Sequence, residues 1–248
     1  MNDFLGLSGK NLLITGATSG IGKATCELAV NFGARVLAIG RKVEQLDELK
    51  AQFPKQVQTL KIDFFDSGYL EKLALFLTQE KIYGFVHAAG ISPTMPINRE
   101  SRESWEIAMQ LNVYIGIEIA QLLIRKQRSS IKSIVYISSV MADLAEKAKG
   151  TYSMSKGALN AVMRNQALEY AKFNVRANAI APAVVQTPLS MDSVYRKTEK
   201  GMKRISDKHP LGLGEAEDVA KSALFLLSDA SSWITGTTLT VDGGYSIA

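Results

Sequence analysis

Short β-branched runs alternate with amphipathic helical stretches from one end of the chain to the other, and nothing else in the sequence narrows the possible folds as far. The strand candidates are Asn11 to Thr15, Arg35 to Ile39, Val57 to Ile62, Gly84 to Ala88, Ile131 to Ser138, Val175 to Ile180 and Thr237 to Val241. Between them lie the helix candidates Ile21 to Phe32, Val43 to Gln52, Gly68 to Gln79, Arg102 to Arg125, Thr151 to Lys172 and Ala216 to Leu227. In the second of these, Val43, Leu46 and Leu49 recur at helical spacing, so one face can pack on a sheet. Strand–helix–strand units joined by right-handed crossovers give a parallel sheet with helices on both faces. The expected fold is α/β and doubly wound, around one seven-stranded sheet. No linker rich in Pro, Gly or Ser and no internal repeat interrupts the pattern, so residues 1–248 are expected to form one domain.

Two segments depart from the rhythm: Ile91 to Arg99, with Pro93 and Pro96, and Ala181 to His209. Loops longer than about a dozen residues are uncommon unless they act on something. The second is therefore a candidate lid, whose Met191, Tyr195 and Met202 suit an apolar ligand, with a disordered insertion as the alternative.

Composition excludes several classes. With 46% apolar residues and only 6 Pro, the chain is neither disordered nor collagen-like. The single Cys26 cannot form an internal disulfide and mildly suggests a reducing compartment. The start lacks a basic stretch followed by an apolar run, and the most apolar helical stretch, Leu111 to Ile124, contains Glu118 and Gln121 and looks too short for a bilayer. The expectation is a cytoplasmic protein with no membrane partner. Twenty-nine basic against 24 acidic side chains leave a net charge of +5. The densest basic stretches, Arg125 to Arg128 and Arg196 to Arg204, carry no interleaved stacking aromatics, so a solvated surface is expected and nucleic acid is not. With His87 and His209 as the two histidines and no paired Cys, no metal site is expected.

The first strand runs into Thr15-Gly16-Ala17-Thr18-Ser19-Gly20-Ile21-Gly22 and then a helix. Glycines at such a turn let backbone N–H groups approach a pyrophosphate at the helix N-terminus. The spacing differs from the G-x-G-x-x-G fingerprint, and a plain tight turn also has Gly-rich sequence. At the end of the second strand, where a carboxylate would hold a ribose 2′-hydroxyl, the sequence has Gly40 followed by Arg41 and Lys42. Arg41 offers a planar fork for a 2′-phosphate, which favours NADP (NADPH) over NAD; otherwise Arg41 merely opens a solvated helix. Tyr152 has Lys156 four residues later on a predicted helix, which puts the two on one face. Ser139 closes the fifth strand thirteen residues earlier, and Asn112 lies in the fourth helix.

Taken with Asp63, His87-Ala88-Ala89-Gly90, Tyr152-Ser153-Met154-Ser155-Lys156, Asn178 to Pro182, Thr187 and the closing Val241-Asp242-Gly243-Gly244, these residues resemble the short-chain dehydrogenase/reductase family over essentially the whole chain. The Pro210-Leu211-Gly212 stretch with Glu217 to Ala220 is most similar to the 3-oxoacyl-[acyl-carrier-protein] reductases of that family. The resemblance implies a Rossmann-type fold and hydride transfer between a nicotinamide and a ketone or secondary alcohol. It implies Tyr152 as general acid or base, Lys156 as the adjacent cation and ribose ligand, and Ser139 as a donor to the substrate oxygen. Asn112 would hold a water linking Lys156 to solvent. The substrate would meet Ser139 and Tyr152.

The resemblance further implies that the dinucleotide meets Gly16, Ser19, Ile21, Arg41, Asp63, Phe64, Ala89, Gly90, Tyr152, Lys156, Val185 and Thr187. The family's Asn-Asn-Ala-Gly is here His87-Ala88-Ala89-Gly90, and its Pro-Gly is Pro182-Ala183. His87 reads as a satisfied core side chain rather than a base. The substrate is expected to be a small or carrier-bound carbonyl compound, such as a 3-oxoacyl thioester, with a sugar or small ketone as the alternative. A non-catalytic nucleotide sensor is a further alternative. Arg125, Lys126, Arg128 and Lys172 offer a basic dock for an acidic carrier, or else solvated helix ends. A homo-oligomer, dimer or tetramer, is implied, with Leu159, Val162, Ala167 and Leu168 compatible with a second buried helix face.

Overall fold

A computed structural model describes residues 4–78, 80–191 and 198–248. The chain start, Gln79, and Tyr195 and Arg196 of the long loop lie outside the described residues. Strands β1 (Asn11–Thr15), β2 (Arg35–Gly40), β3 (Val57–Lys61), β4 (Gly84–His87), β5 (Ser133–Ile137) and β6 (Arg176–Pro182) fall within a residue or two of the expected runs. The short β7 (Val185–Gln186) and β8 (Gly214–Glu215) pair separately, and β9 (Thr238–Val241) completes the main sheet. That sheet has seven parallel strands in the order β3-β2-β1-β4-β5-β6-β9. The order reverses between β1 and β4, and ligands of such sheets bind outside the carboxyl ends of the strands at that point.

Helices α1 (Gly20–Asn31), α2 (Val43–Gln52) and α3 (Tyr69–Phe76) follow the first three strands. After β4, α4 (Arg102–Met109) and α5 (Ile115–Gln127) form one helical run with a π turn, Gln110–Tyr114, between them. Then come α6 (Gly150–Tyr170), α7 (Pro188–Met191), α8 (Glu199–Ser206) and α9 (Ala216–Leu227). The span expected to be irregular from Ala181 to His209 thus contains two helices and a strand.

Successive strand residues point to opposite faces, so Leu12 and Ile14 enter one core while Leu13 enters the other. The first packs against α1, α2 and α9 through Cys26, Leu46, Leu49 and Leu224. The second packs against α3, α5 and α6 through Leu73, Ile119, Leu123 and Leu159. Each fully buried Leu or Ile contributes roughly 1.5–3 kcal/mol. The run from Arg102 to Gln127 is longer than the sequence suggested, and by length and composition alone it is apolar enough to cross a membrane. Its length therefore does not exclude a bilayer; its apolar stripe, Ile115, Ile119, Ala120 and Leu123, is buried against the sheet.

Candidate active site

The loops at the carboxyl ends of the strands enclose one continuous cleft. Gly16, Ser19 and Ile21 line it after β1, Arg41 after β2, Asp63 and Phe64 after β3, and Ala89 and Gly90 after β4. Ser139, Tyr152, Lys156, Val185 and Thr187 line the same cleft, so of the residues singled out only Asn112 stands behind its wall. Gly16 has φ +68°, and a Cβ there would sit 2.8 Å from Ala88 C and Ala89 N; only glycine lets the first turn lie against the β4 loop. Ser19 caps α1 in extended conformation without a side-chain bond, and the first turn holds no acid. That leaves an uncapped helix N-terminus facing the cleft, which suits a phosphate group. Asp63 Oδ1 accepts the Phe65 N–H at 3.0 Å, fixing the loop after β3.

At the other end, the Tyr152 hydroxyl shares a hydrogen bond with Ser139. Ser139 Oγ also accepts from Met141 N at 3.1 Å, which sets its rotamer. Burial pushes the Tyr152 phenol up from its ordinary value, and the Ser139 hydrogen bond opposes this only in part. The Lys156 ammonium lies 5.7 Å from the Tyr152 ring centroid and donates to the Ile137 carbonyl at 2.7 Å. Burial lowers its pKa to about 8. The net direction favours the protonated phenol.

Asn112 lies in the π turn. Its Oδ1 accepts from Ile91 N at 2.8 Å, and its Nδ2 donates to Ile91 O and to Ser155 Oγ. The side chain therefore pins the β4–α4 loop to α6, one residue from Lys156. A Cβ on Gly90 would meet Asn112 Oδ1 at 2.9 Å and Lys156 Nζ at 3.7 Å, so these groups crowd one spot.

His87 is fully buried and has a hydrogen-bond partner at each ring nitrogen. Thr15 Oγ1 accepts from Ala88 N and Ala89 N, so its own O–H points to His87 Nδ1 at 2.9 Å. Nε2–H then donates to Leu111 O, inside the π turn, at 3.1 Å. Burial, with a contribution from Lys156, lowers the imidazole pKa to about 3, which keeps it neutral. His209 is also committed: Nδ1 faces Ile205 O at 2.7 Å and Nε2 accepts from Val184 N. Among the described residues no cluster of three or more metal-ligating side chains occurs.

Sequence reasoning missed Lys149, Ser92 and Glu146, which line the reacting end. Their one sequence signal is proximity to Tyr152 or to the motif around Gly90. It also missed Glu100, whose Oε1 accepts the Thr151 N–H at 2.9 Å in the first turn of α6 while Oε2 takes the Trp105 indole N–H. Two of the four basic residues of the proposed carrier dock meet at Phe173, with Arg128 4.9 Å and Lys172 5.1 Å from its centroid. They precede β5 and β6, at the opposite end of the strands from the cleft of the same chain.

A doubly wound parallel sheet, a glycine turn into an uncapped helix at its switch point, and a Ser–Tyr–Lys group in the adjoining cleft define a nucleotide-dependent oxidoreductase of the Rossmann class. Residues 16–246 match the family described as enoyl-(acyl carrier protein) reductase, and the chain belongs to that family, among the short-chain dehydrogenases/reductases. It is 34% identical to a 3-oxoacyl-[acyl-carrier-protein] reductase of Thermotoga maritima, over 97% of this chain and 99% of that one. It is 32% identical to L-xylulose reductase of Mesocricetus auratus, over 98% and 99% respectively. Among solved structures, a gluconate 5-dehydrogenase of Burkholderia cenocepacia in complex with NADP and tartrate superposes with a TM-score of 0.91 at 25% identity, covering 99% and 98% of the two chains. A 7α-hydroxysteroid dehydrogenase complexed with NADH and 7-oxo glycochenodeoxycholic acid gives 0.91 at 28%, covering 98% and 97%.

Proposed function

We propose that the chain is an NADP-dependent carbonyl reductase that converts a ketone to a secondary alcohol. The observation that carries this reading is the partly buried Tyr152, hydrogen-bonded to Ser139 and flanked by Lys156, in the cleft that begins at the Gly16 turn. When bound, the dinucleotide supplies the hydride. The Tyr152 hydroxyl gives its proton to the carbonyl oxygen, and Ser139 donates a second hydrogen bond to that oxygen. A phenol kept protonated by burial suits the reductive direction. Lys156 holds a positive charge beside the phenolate left behind and binds the ribose next to it.

Arg41 supports NADP. It is exposed at the adenosine end of the cleft, beside Lys42, and no carboxylate follows β2 within the cleft. Replacing Tyr152 with Phe is expected to lower kcat by about 10³-fold or more while nucleotide affinity, read by fluorescence titration, changes little. Retained turnover refutes the assignment. Arg41→Ala is expected to lower the NADP-to-NAD affinity ratio by about 10- to 100-fold, the loss of a charged phosphate contact; an unchanged ratio removes the preference.

The relatives' names support either a 3-oxoacyl thioester or a sugar or small ketone as substrate. A carrier held at Phe173 would sit away from this chain's own cleft. The sensor reading is disfavoured because Asn112, Ser139, Tyr152 and Lys156 are all present.

A further inference from the structure

Tyr152 is flanked by two ammonium groups, and only one has a part in the proposed chemistry. Lys149 Nζ, like that of Lys156, lies 5.7 Å from the Tyr152 ring centroid. It donates to Ser92 Oγ at 2.9 Å and Thr94 Oγ1 at 2.7 Å, both neutral acceptors on the β4–α4 loop. No carboxylate among the described residues lies within 4 Å of it, since the ion pairs formed there are Lys23–Glu27, Arg102–Glu106, Lys203–Asp207 and Lys221–Glu217. The side chain is half-buried, and burial depresses its pKa. The chain is fixed around it: Met95 N donates to Ala148 O at 2.9 Å, and Glu100 occupies the first turn of α6 just beyond. A cation fixed in a cleft with no carboxylate in contact, and with Glu146 acting on it only from beyond 4 Å, is a partly desolvated charge that an incoming anion compensates further.

We infer that Lys149 is a specificity-determining residue that binds an anionic group of the substrate, so that the physiological ketone is an oxo acid with its carboxylate a few atoms from the reacting carbonyl. The inference rests on the carbonyl reductase reading and narrows its substrate. Two further features give the site direction. Glu146 lines the same end and acts on both Lys149 and Tyr245, raising the pKa of each, and so it opposes a second anionic group there. The walls on that side, Met141, Val184, Leu189 and Ile205, are apolar. The acid therefore enters with its carboxylate toward Lys149 and its hydrocarbon part toward Met141 and Leu189.

The test compares 3-oxobutanoate and 4-oxopentanoate with their methyl esters, using NADPH oxidation by the wild type, Lys149→Gln and Lys149→Arg. The expected result is an acid-to-ester ratio of kcat/KM above one in the wild type. That ratio should fall by about 10- to 100-fold in Lys149→Gln, as for loss of a hydrogen bond to a charged group, and recover largely in Lys149→Arg. Loosening of the β4–α4 loop alone would weaken acid and ester together and leave the ratio in place, which overturns the inference, as does a wild type that prefers the esters. Calorimetric titration of 4-hydroxypentanoate and its methyl ester into the protein saturated with NADP reads the same contrast without turnover. Should no ketone be reduced, the carbonyl reductase reading fails, and the titration alone decides the role of Lys149: acid binding that Lys149→Gln abolishes supports it, and equal binding by both variants overturns it.

Discussion

Lys156 is buried among groups that offer it a carbonyl but, among the described residues, no carboxylate within 4 Å, and its lowered pKa comes from desolvation alone. A displacement from 10.5 to about 8 corresponds to roughly 3 kcal/mol of preference for the neutral form. The native state therefore binds fewer protons than the unfolded state between those values, and stability rises with pH across that window. Below pH 8 the cost is carried in full. Lys156→Met removes it, less what is lost at the Ile137 carbonyl, and is expected to raise Tm by about 2–4 °C at pH 7 and to flatten the rise between pH 8 and 10.5. Thermal unfolding across pH checks this; an unchanged or lowered Tm contradicts it. Reduction, if it uses the charged lysine, should decline above about pH 8. The pairing of Tyr152 with Lys156 was legible from their spacing. Lys149 was not, because a lysine before a helix reads the same whether it faces solvent or a cleft.

The elements that position these residues are held together at the N-terminal end of α6. Glu100 reaches across from the β4–α4 loop to accept the Thr151 N–H, which holds its carboxyl below the ordinary range. Such a carboxylate stabilises the fold above its unfolded-state pKa, and this is lost as the pH falls through the lower native value. Glu100→Ala is expected to cost about 0.5–1 kcal/mol, given the exposure of the pair, and to show as a Tm lower by roughly 1–4 °C at pH 7 and a smaller difference below pH 4. Equal Tm values at neutral pH would dismiss the contact as inert. Strand positions were readable because strands buried on both faces read as short apolar runs between turn residues. The π turn at Gln110–Tyr114 was not, since one extra residue in a helix barely disturbs a 3.6-residue pattern. The hydrogen bonds from Thr15 through His87 to Leu111 were equally hidden, for they join three elements that only the sheet order brings together.

Across the whole molecule, α6 buries Leu159 and Ala167 against the sheet but leaves Leu168 79% exposed, so its apolar residues lie on two sides of the helix. A homo-oligomer is proposed on this ground and on family membership. Sedimentation should give a dimer or tetramer, and Leu168→Glu should shift the distribution toward smaller species; a wild-type monomer at micromolar concentration would oppose it. The parallel sheet with helices on both faces followed from the alternating pattern, whereas the strand order and the ligand's identity did not, since they depend on which strands neighbour one another and on loops whose shape no periodicity encodes.

Gly40 bears on how such a protein changes over time. A Cβ placed there would collide with the Thr18 methyl, and Thr18 has a branched Cβ with few rotamers to retreat into. An acidic side chain cannot simply be acquired at the end of β2. A lineage exchanging one nucleotide for the other must first shrink or turn position 18, so the order of its mutations is constrained and the opposite route passes through a misfit intermediate.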